Sequence, residues 1–416
     1  MEQEQDSQQV ATTVVRRLVD AGFETYFAGG WVRDHLLGHD RSDIDIATSA
    51  SPEEVMEQFN HTVAVGVQFG VVMVIEGGHQ FEVSSFRKDG LYVDGRRPEG
   101  VEYATAEEDV HRRDFTINGM FYDPASGVIH DWVGGRIDLE KGVIRAIGTA
   151  ENRFVEDRLR MIRAVRMAAR FQFSIEPDTE RAIRSSAHTL FPAVAMERVW
   201  GEFQKMSESP HFGDALVTMH RLDLLQQIFP LLDGVEENVI ADRLEPLTRM
   251  TVEVPTVGWL MELFPDADIE EQLALARYLK VSNRDCKFLE RLWQARQLIE
   301  TEQRGGTPER IEWIRFYSHS DAFVCLSVAL SRYGDLSQAL SRHQDRYDKH
   351  IDHIQRLVKR RPLVTSQILR DHGIPPGKAM GALLREGERI AVNEDLQLAK
   401  KVVAKLKISP LWPEVT

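Results

Sequence analysis

Residues 27–45 read Phe-Ala-Gly-Gly-Trp-Val-Arg-Asp-His-Leu-Leu-Gly-His-Asp-Arg-Ser-Asp-Ile-Asp, and the fold of the chain is decided there. The apolar run Tyr26 to Ala28 predicts a strand that ends in two glycines and passes into a short helix carrying Arg33. A second strand-like run begins with Asp43 and Asp45. Residues two apart in an extended chain point the same way, so these carboxylates belong on one face of a strand. Side by side at neutral pH they repel unless a cation lies between them. Magnesium fits, because it takes few carboxylate oxygens and keeps its other sites for water and phosphates. Gly29 and Gly30 would let backbone N–H groups approach phosphate oxygens, and Arg33 would add a bidentate donor. Taken singly, Asp-x-Asp and Gly-Gly also describe ordinary turns.

Upstream, Val10, Val14, Val15, Leu18 and Val19 form an apolar stripe over about Gln8 to Ala21, a helix packed on the coming sheet. Downstream, Ser51-Pro52-Glu53-Glu54 starts a helix that ends near Phe59. Strand-like runs follow at Thr62 to Val67, Val71 to Ile75 and Gln80 to Phe86. Glu82, in the third, either faces Asp43 and Asp45 as a further carboxylate or points to water from an edge strand. Lys88 to Glu108 reads as a loop. Arg112-Arg113-Asp114-Phe115-Thr116-Ile117-Asn118 suits a grip on a triphosphate, with Asn118 one helical turn on. Asp123 to Gly127 forms a turn between strands, and a strand at Val143 to Ile147 closes the first domain.

The segment Phe154 to Phe171 predicts one continuous helix on which Asp157, Arg160 and Arg163 form a polar ridge, extended by Arg166 and Arg170. Such a ridge is either a solvated face laced by ion pairs or a surface that reads a base. In the second case Asp157 accepts from the exocyclic amine of cytosine or adenine, and Arg160 donates to the ring acceptor beside it. Uracil and guanine would set an acceptor against Asp157, costing roughly 1–3 kcal/mol. Beyond residue 171 the pattern is helical: Val194 to Met206, Gly213 to Phe229, Ile269 to Leu279, Lys287 to Thr301, Pro308 to Tyr317 and Asp321 to Arg332. His343, His350 and His353 cluster on a basic helix and are expected to meet phosphates or water. A break at Gly373 to Gly381 precedes a last helix, Glu394 to Leu406.

The ordered set Gly-Gly-x-Val-Arg-Asp, Leu-Leu-Gly, Asp-x-Asp, Arg-Arg-Asp-Phe-Thr-Ile-Asn and Glu-Asp-x-x-Arg-x-x-Arg-Ala resembles the signature of the DNA polymerase beta-like nucleotidyltransferases, specifically the class II tRNA nucleotidyltransferase and bacterial poly(A) polymerase family. The resemblance is strongest over about residues 26–200. It implies an α+β protein with a small mixed-sheet catalytic head (1–148), then an all-α neck (149–210), body (211–335) and RNA-binding tail (336–416). It implies that Asp43 and Asp45 bind Mg2+, with Glu82 as a further catalytic candidate, and that Gly30, Arg33 and Arg113 hold the nucleotide. Asp157, Arg160, Arg163 and Arg166 then fall on the nucleotide-selecting motif. Asp94-Gly95-Arg96-Arg97-Pro98 falls on the flexible loop tied to adenosine addition. Gly119 departs from the pattern, standing where alanine is usual. The implied reaction is template-independent addition of CMP and AMP from CTP and ATP to the 3′ end of tRNA, with the acceptor stem bound and pyrophosphate released. The alternatives are a poly(A) polymerase, whose basic variant at Gly66 to Val72 is lacking here, and an enzyme that adds only A.

Composition agrees with this class. The 416 residues suffice for several domains, and 43% hydrophobic with 28% charged residues is ordinary for a globular protein. Two cysteines, Cys286 and Cys325, argue against a disulfide framework or cysteine-ligated zinc. With no apolar stretch of about 18 residues and no signal-type N-terminus, the expected location is the cytoplasm, without membrane contact or a stable protein partner. The net charge of −14 excludes indiscriminate nucleic-acid binding, while basic groups at 153–170 and 342–361 leave room for one folded RNA.

Overall fold

The structure, a computed structural model, describes residues 7–39, 43–66, 70–89 and 101–413. The chain forms two compact units, residues 1–241 and 242–416.

In the first unit, α1 (Ser7–Asp20) buries Val10, Ala11, Val14, Val15 and Leu18. Val19, counted in the stripe, points to solvent at 49% exposure. The strands are β1 (Thr25–Ala28), β2 (Asp45–Thr48), β3 (Thr62–Gly66), β4 (Val71–Glu76), β5 (His79–Ser85), β6 (Arg87–Asp89), β7 (Val101–Tyr103), β8 (Met120–Tyr122) and β9 (Ile129–Asp131). Seven of them make one mixed sheet in the order β3-β4-β5-β2-β1-β8-β9, with β6 and β7 paired separately. Most pairings are antiparallel, but β2 runs parallel to β5, placing Ile46 beside Val83. That parallel step needs a crossover, and α3 (Pro52–Gln58) lies within it. A Ser51/Glu54 capping box starts α3 where the sequence places its first turn. Phe27, Ile46, Phe81 and Phe121 are each at most 2% exposed. Burial of such side chains contributes about 1.5–3 kcal/mol apiece.

β2 begins at Asp45, so Asp43 stands just outside the strand expected to carry both. The register explains this: Ala28 pairs with Asp45, and β1 ends there, because Gly29, at a φ of 61°, turns the chain into α2 (Gly30–Leu36). Asp43 has no strand residue opposite it. Both aspartates are nevertheless exposed around the buried Ile44. β5 lies inside the sheet between β4 and β2, so Glu82 is not on an edge strand.

After β7 come α4 (Ala106–His111), α5 (Gly135–Lys141), α6 (Ala150–Glu156), α7 (Leu159–Phe171) and α8 (Pro177–Ser186). The helix expected from Phe154 to Phe171 is broken at Asp157, whose φ of −144° and ψ of 105° are extended. Asp157 Oδ1 accepts the Leu159 N–H at 3.0 Å, so this aspartate ends one helix and starts the next. The strand expected over Val143 to Ile147 is only Val143–Ile144, paired in parallel with Ser174–Ile175. The helix expected over Gly213 to Phe229 is likewise divided, into Phe212–Arg221 and Leu224–Ile228, by Asp223 at φ 59°.

The second unit is helical. Asn283–Gln303, Arg310–Tyr317, Ala322–Leu330, Leu336–Lys349, Ile351–Val358, Lys378–Asn393 and Ala399–Leu406 are its main elements. The three histidines expected on a basic surface are not surface groups. His343, His350 and His353 are all buried. His343 Nδ1 lies 2.7 Å from the Tyr317 hydroxyl, and His353 Nε2 lies 3.0 Å from Asp395 Oδ1. Burial and the nearby Arg346 and Arg342 push His343 down to about 4. Among the described residues no helix is long and apolar enough to cross a membrane.

Candidate active site

A cavity of about 460 Å³ in the first unit gathers Gly29, Gly30, Arg33, Asp45, Arg112, Arg113, Asp114, Asn118, Asp157, Arg160, Arg163 and Arg198. The sheet end contributes Asp45, while the break between α6 and α7 contributes Asp157 and Arg160. Arginines fill the space between, which suits a polyanion.

At the sheet end, the surrounding protein strips water from the Asp45 carboxyl, although part of the residue still reaches solvent, and this desolvation pushes it up to about 6, assisted by the negative charges of Glu82 and Asp43 and opposed by Arg113. The parallel register with Ile46 beside Val83 brings Glu82 next to Asp45. These carboxylates therefore sense one another, as a cation site requires, although Asp43 and Glu82 do not line the cavity itself. Among the described residues no three acidic, histidine or cysteine side chains converge tightly enough to hold an ion unaided. A hard cation here would draw its remaining ligands from phosphate and water, the usual habit of Mg2+.

The arginines are fixed individually. Arg33 is 3% exposed, donates from Nε to Asp34 Oδ1 at 2.7 Å and from Nη1 to Asn118 Oδ1 at 2.5 Å, and lies over the Phe171 ring. Asp109, absent from every motif read in the sequence, accepts Arg112 Nε at 2.8 Å and Arg113 Nε and Nη2 at 3.1 and 2.9 Å. The only sequence signal for it was an acid four residues before an arginine on a short helix. Arg113 stacks on Phe121 and approaches Gly29 so closely that a Cβ there would stand 2.9 Å from its Nη1. The positive φ favours glycine here, and a side chain would also push the Arg113 guanidinium from the place where Asp109 holds it.

Asn118 does not continue a helix from Arg113. An extended Phe115 intervenes before the 3-10 turn Thr116–Asn118. Instead Asn118 Nδ2 donates to Asp114 Oδ1 at 3.0 Å, and Arg163 grips Asp114 Oδ2 from Nε and Nη2 at 2.9 and 2.5 Å. Burial alone would raise Asp114, but Arg163, Asn118 and the Phe115 N–H outweigh it and hold the carboxyl well below the usual range. Arg33, Asn118, Asp114 and Arg163 therefore form a continuous bridge from the sheet domain to α7.

On α7, Arg160 Nη1 donates to Glu156 Oε2 at 2.7 Å and its Nη2 to the Arg112 carbonyl at 2.8 Å. Asp157 accepts both terminal nitrogens of Arg198, which sequence reasoning passed over. Arg166 does not reach the cavity. It is buried and tied to Glu202 at 2.6 Å, on the helix Met196–Ser207. The ridge is thus a set of largely buried ion pairs, not a solvated face.

Gly119 closes a packing gap. A Cβ there would lie 2.8 Å from Val133 Cγ2 and 2.9 Å from Ile147 Cδ1, so the two larger neighbours fill the space a methyl would need. The loop Asp94 to Pro98 and the stretch Val67 to Phe69 lie outside the described residues.

Residues 25–145 match the family described as the poly A polymerase head domain. Residues 172–235 match one described as a probable RNA and SrmB-binding site of polymerase A. The chain is 34% identical over 412 residues to the CCA-adding enzyme of Streptococcus mutans, with 95% of each chain covered. It is 33% identical over 392 residues to that of Streptococcus pyogenes serotype M5, with 92% of each covered. Its structure is similar to that of the Bacillus stearothermophilus CCA-adding enzyme in complex with CTP, at TM-score 0.79 and 28% identity over 95% of this chain and 97% of that one. The Thermotoga maritima CCA-adding enzyme complexed with tRNA shares the fold at TM-score 0.68 and 21% identity, over 97% of each chain.

Proposed function

The chain belongs to the CCA-adding enzymes, the class II tRNA nucleotidyltransferases, and from that premise we propose that it builds and repairs the 3′ CCA end of tRNA from CTP and ATP without a nucleic-acid template. The observation that carries this reading is a single cavity with a repelling carboxylate pair near one end and a base-sized donor and acceptor, Arg160 and Asp157, at the other.

In this reading Asp43 and Asp45 hold magnesium, and Glu82 backs them through its charge on Asp45. Bound there, the ion would supply charge neutralisation for in-line attack by the primer 3′ hydroxyl on the α-phosphate and for departure of pyrophosphate. Gly30, Arg33 and Arg113 hold the triphosphate oxygens. Arg33 and Arg113 do so from fixed positions, since Asp34, Asn118 and Asp109 already orient their guanidinium planes. Preorganised donors of this kind cost little reorganisation at the transition state. Asp157 and Arg160 select the base by accepting from the exocyclic amine and donating beside it, which admits cytosine and adenine and rejects uracil and guanine. Arg163 and Arg166 act at one remove: the first locks α7 to Asp114, and the second locks it to Glu202. The helical remainder would carry the acceptor stem and the rest of the tRNA, and the enzyme works in the cytoplasm, where its substrate is made.

Three tRNA transcripts test this, ending at the discriminator base, after the first C and after the second C. Each is incubated with Mg2+ and with CTP, ATP or both. Growth of the first by CCA and then arrest is expected. Addition of A to the third transcript only would reduce the enzyme to an A-adding one, and long A tails on any RNA would make it a poly(A) polymerase.

A further inference from the structure

Asp157 is asked to distinguish an amine from a carbonyl, yet its carboxylate is already engaged. Oδ1 accepts from Arg198 Nη1 at 3.2 Å and from the Leu159 N–H at 3.0 Å. Oδ2 accepts from Arg198 Nη2 at 2.7 Å. A carboxylate offers about four lone-pair sites, so these bonds fill Oδ1 and leave one acceptor site, on Oδ2.

Resting on the function proposed above, we propose that Arg198 is a specificity-determining positioning residue: its bidentate grip on Asp157 leaves one directed acceptor in the cavity, and this acceptor separates cytosine and adenine from uracil and guanine. The geometry makes the separation sharp for two reasons. A free aspartate rotates about its Cβ–Cγ bond and can swing away from a carbonyl that repels it, so the wrong base would cost little. Clamped at three points, the carboxylate cannot turn aside, and uracil meets a lone pair it cannot satisfy. The second reason is local. Asp157 sits at the break between α6 and α7 with extended backbone, where no helical hydrogen-bond pattern would hold its side chain. Arg198 comes from the separate helix Met196–Ser207 and itself lines the cavity, so the orientation of the reading group depends on a residue 41 positions away. Fork geometry is essential, because two parallel N–H donors fix a plane and a single ammonium does not.

The test compares wild type, Arg198→Lys and Arg198→Met on a transcript ending at the discriminator base, measuring kcat/KM for CTP and for UTP separately with Mg2+ present. Thermal melts confirm that each variant is folded. The CTP-over-UTP ratio is expected to fall about tenfold or more in both variants, mainly because UTP is used better relative to CTP. Arg198→Lys retains the charge, so it should recover rate without recovering the ratio. A merely structural role would lower both rates alike, and an unchanged ratio in the folded lysine variant overturns the inference. If Arg198→Met does not fold, the lysine variant alone decides. A wild-type chain that adds neither nucleotide would overturn the functional reading itself and this inference with it, whereas a selective wild type beside selective variants overturns the inference alone.

Discussion

The two ends of the cavity solve opposite electrostatic problems. At the sheet end, Asp45 is left beside Glu82 and Asp43 with its carboxyl pushed up to about 6, a repulsive arrangement that a cation would relieve. At the α7 end nearly every carboxylate has an arginine: Asp114 has Arg163, Asp157 has Arg198, Glu202 has Arg166 and Glu156 has Arg160. Chemistry on a phosphate needs charge that is uncompensated until substrate and metal arrive. Reading a base needs groups that do not move, and paired charges hold still. The difference separates catalysis from selection within one cavity.

The strongest way to break this comparison is Asp45→Ala. Nucleotide addition should drop by about a thousandfold or more, as expected when charge stabilisation of the transferring phosphoryl group is lost. A smaller loss in single-turnover assays would show that Asp45 is not the metal's main seat. Next comes Asp114→Asn, which weakens the grip on Arg163 and unsettles Asn118 and Arg33. Removing one partner of such a buried pair costs about 3 kcal/mol in denaturant unfolding, and addition of C and A should fall together. Asp109→Asn sharpens the picture further. Loosening Arg112 and Arg113 should raise KM for CTP and ATP by about tenfold at nearly constant CTP-over-UTP preference, because the triphosphate grip and not the reading group is touched.

Gly119→Ala tests packing rather than charge. The methyl would press on Val133 and Ile147 and should cost about 1–3 kcal/mol of stability while leaving kcat of the folded protein intact.

The smallest effect concerns pH. Asp45 binds its proton more tightly in the folded chain than in the unfolded one, so its contribution to stability is present below the ordinary aspartate value and is lost as pH rises through about 6. Without metal at pH 7.5, Asp45→Asn should therefore be more stable than wild type, by roughly 1 kcal/mol or less because the side chain is solvent-reachable. Magnesium should narrow or reverse that gap, and nucleotide addition should weaken as pH falls below about 6, where protons compete with the ion.

Much of the sheet end was legible in the sequence. Strand alternation, the Ser51-Pro52 helix start and the glycine pair are local signals: they placed β1, β2 and α3 to within a residue or two and set a short helix carrying Arg33 after the glycines. The α7 end was legible in residue identity but not in conformation. Asp157 was read as one turn of a continuous helix because good helix formers surround it, whereas its side chain competes for the backbone and breaks the helix. Arg198, Glu202 and Asp109 were missed because their meaning is tertiary: each matters through a partner on another helix or at the end of its own. The buried histidines of the second unit failed for a related reason, since a His near lysines and arginines looks exposed until Tyr317 and Asp395 are seen to enclose it.

The most direct test of the division of labour is equilibrium binding of CTP and UTP, with Mg2+, to Asp45→Asn and to Asp157→Ala. The account predicts that Asp45→Asn still prefers CTP to UTP although it adds neither, and that Asp157→Ala binds the two alike. Loss of the preference in Asp45→Asn, or its survival in Asp157→Ala, would contradict the separation of the two ends.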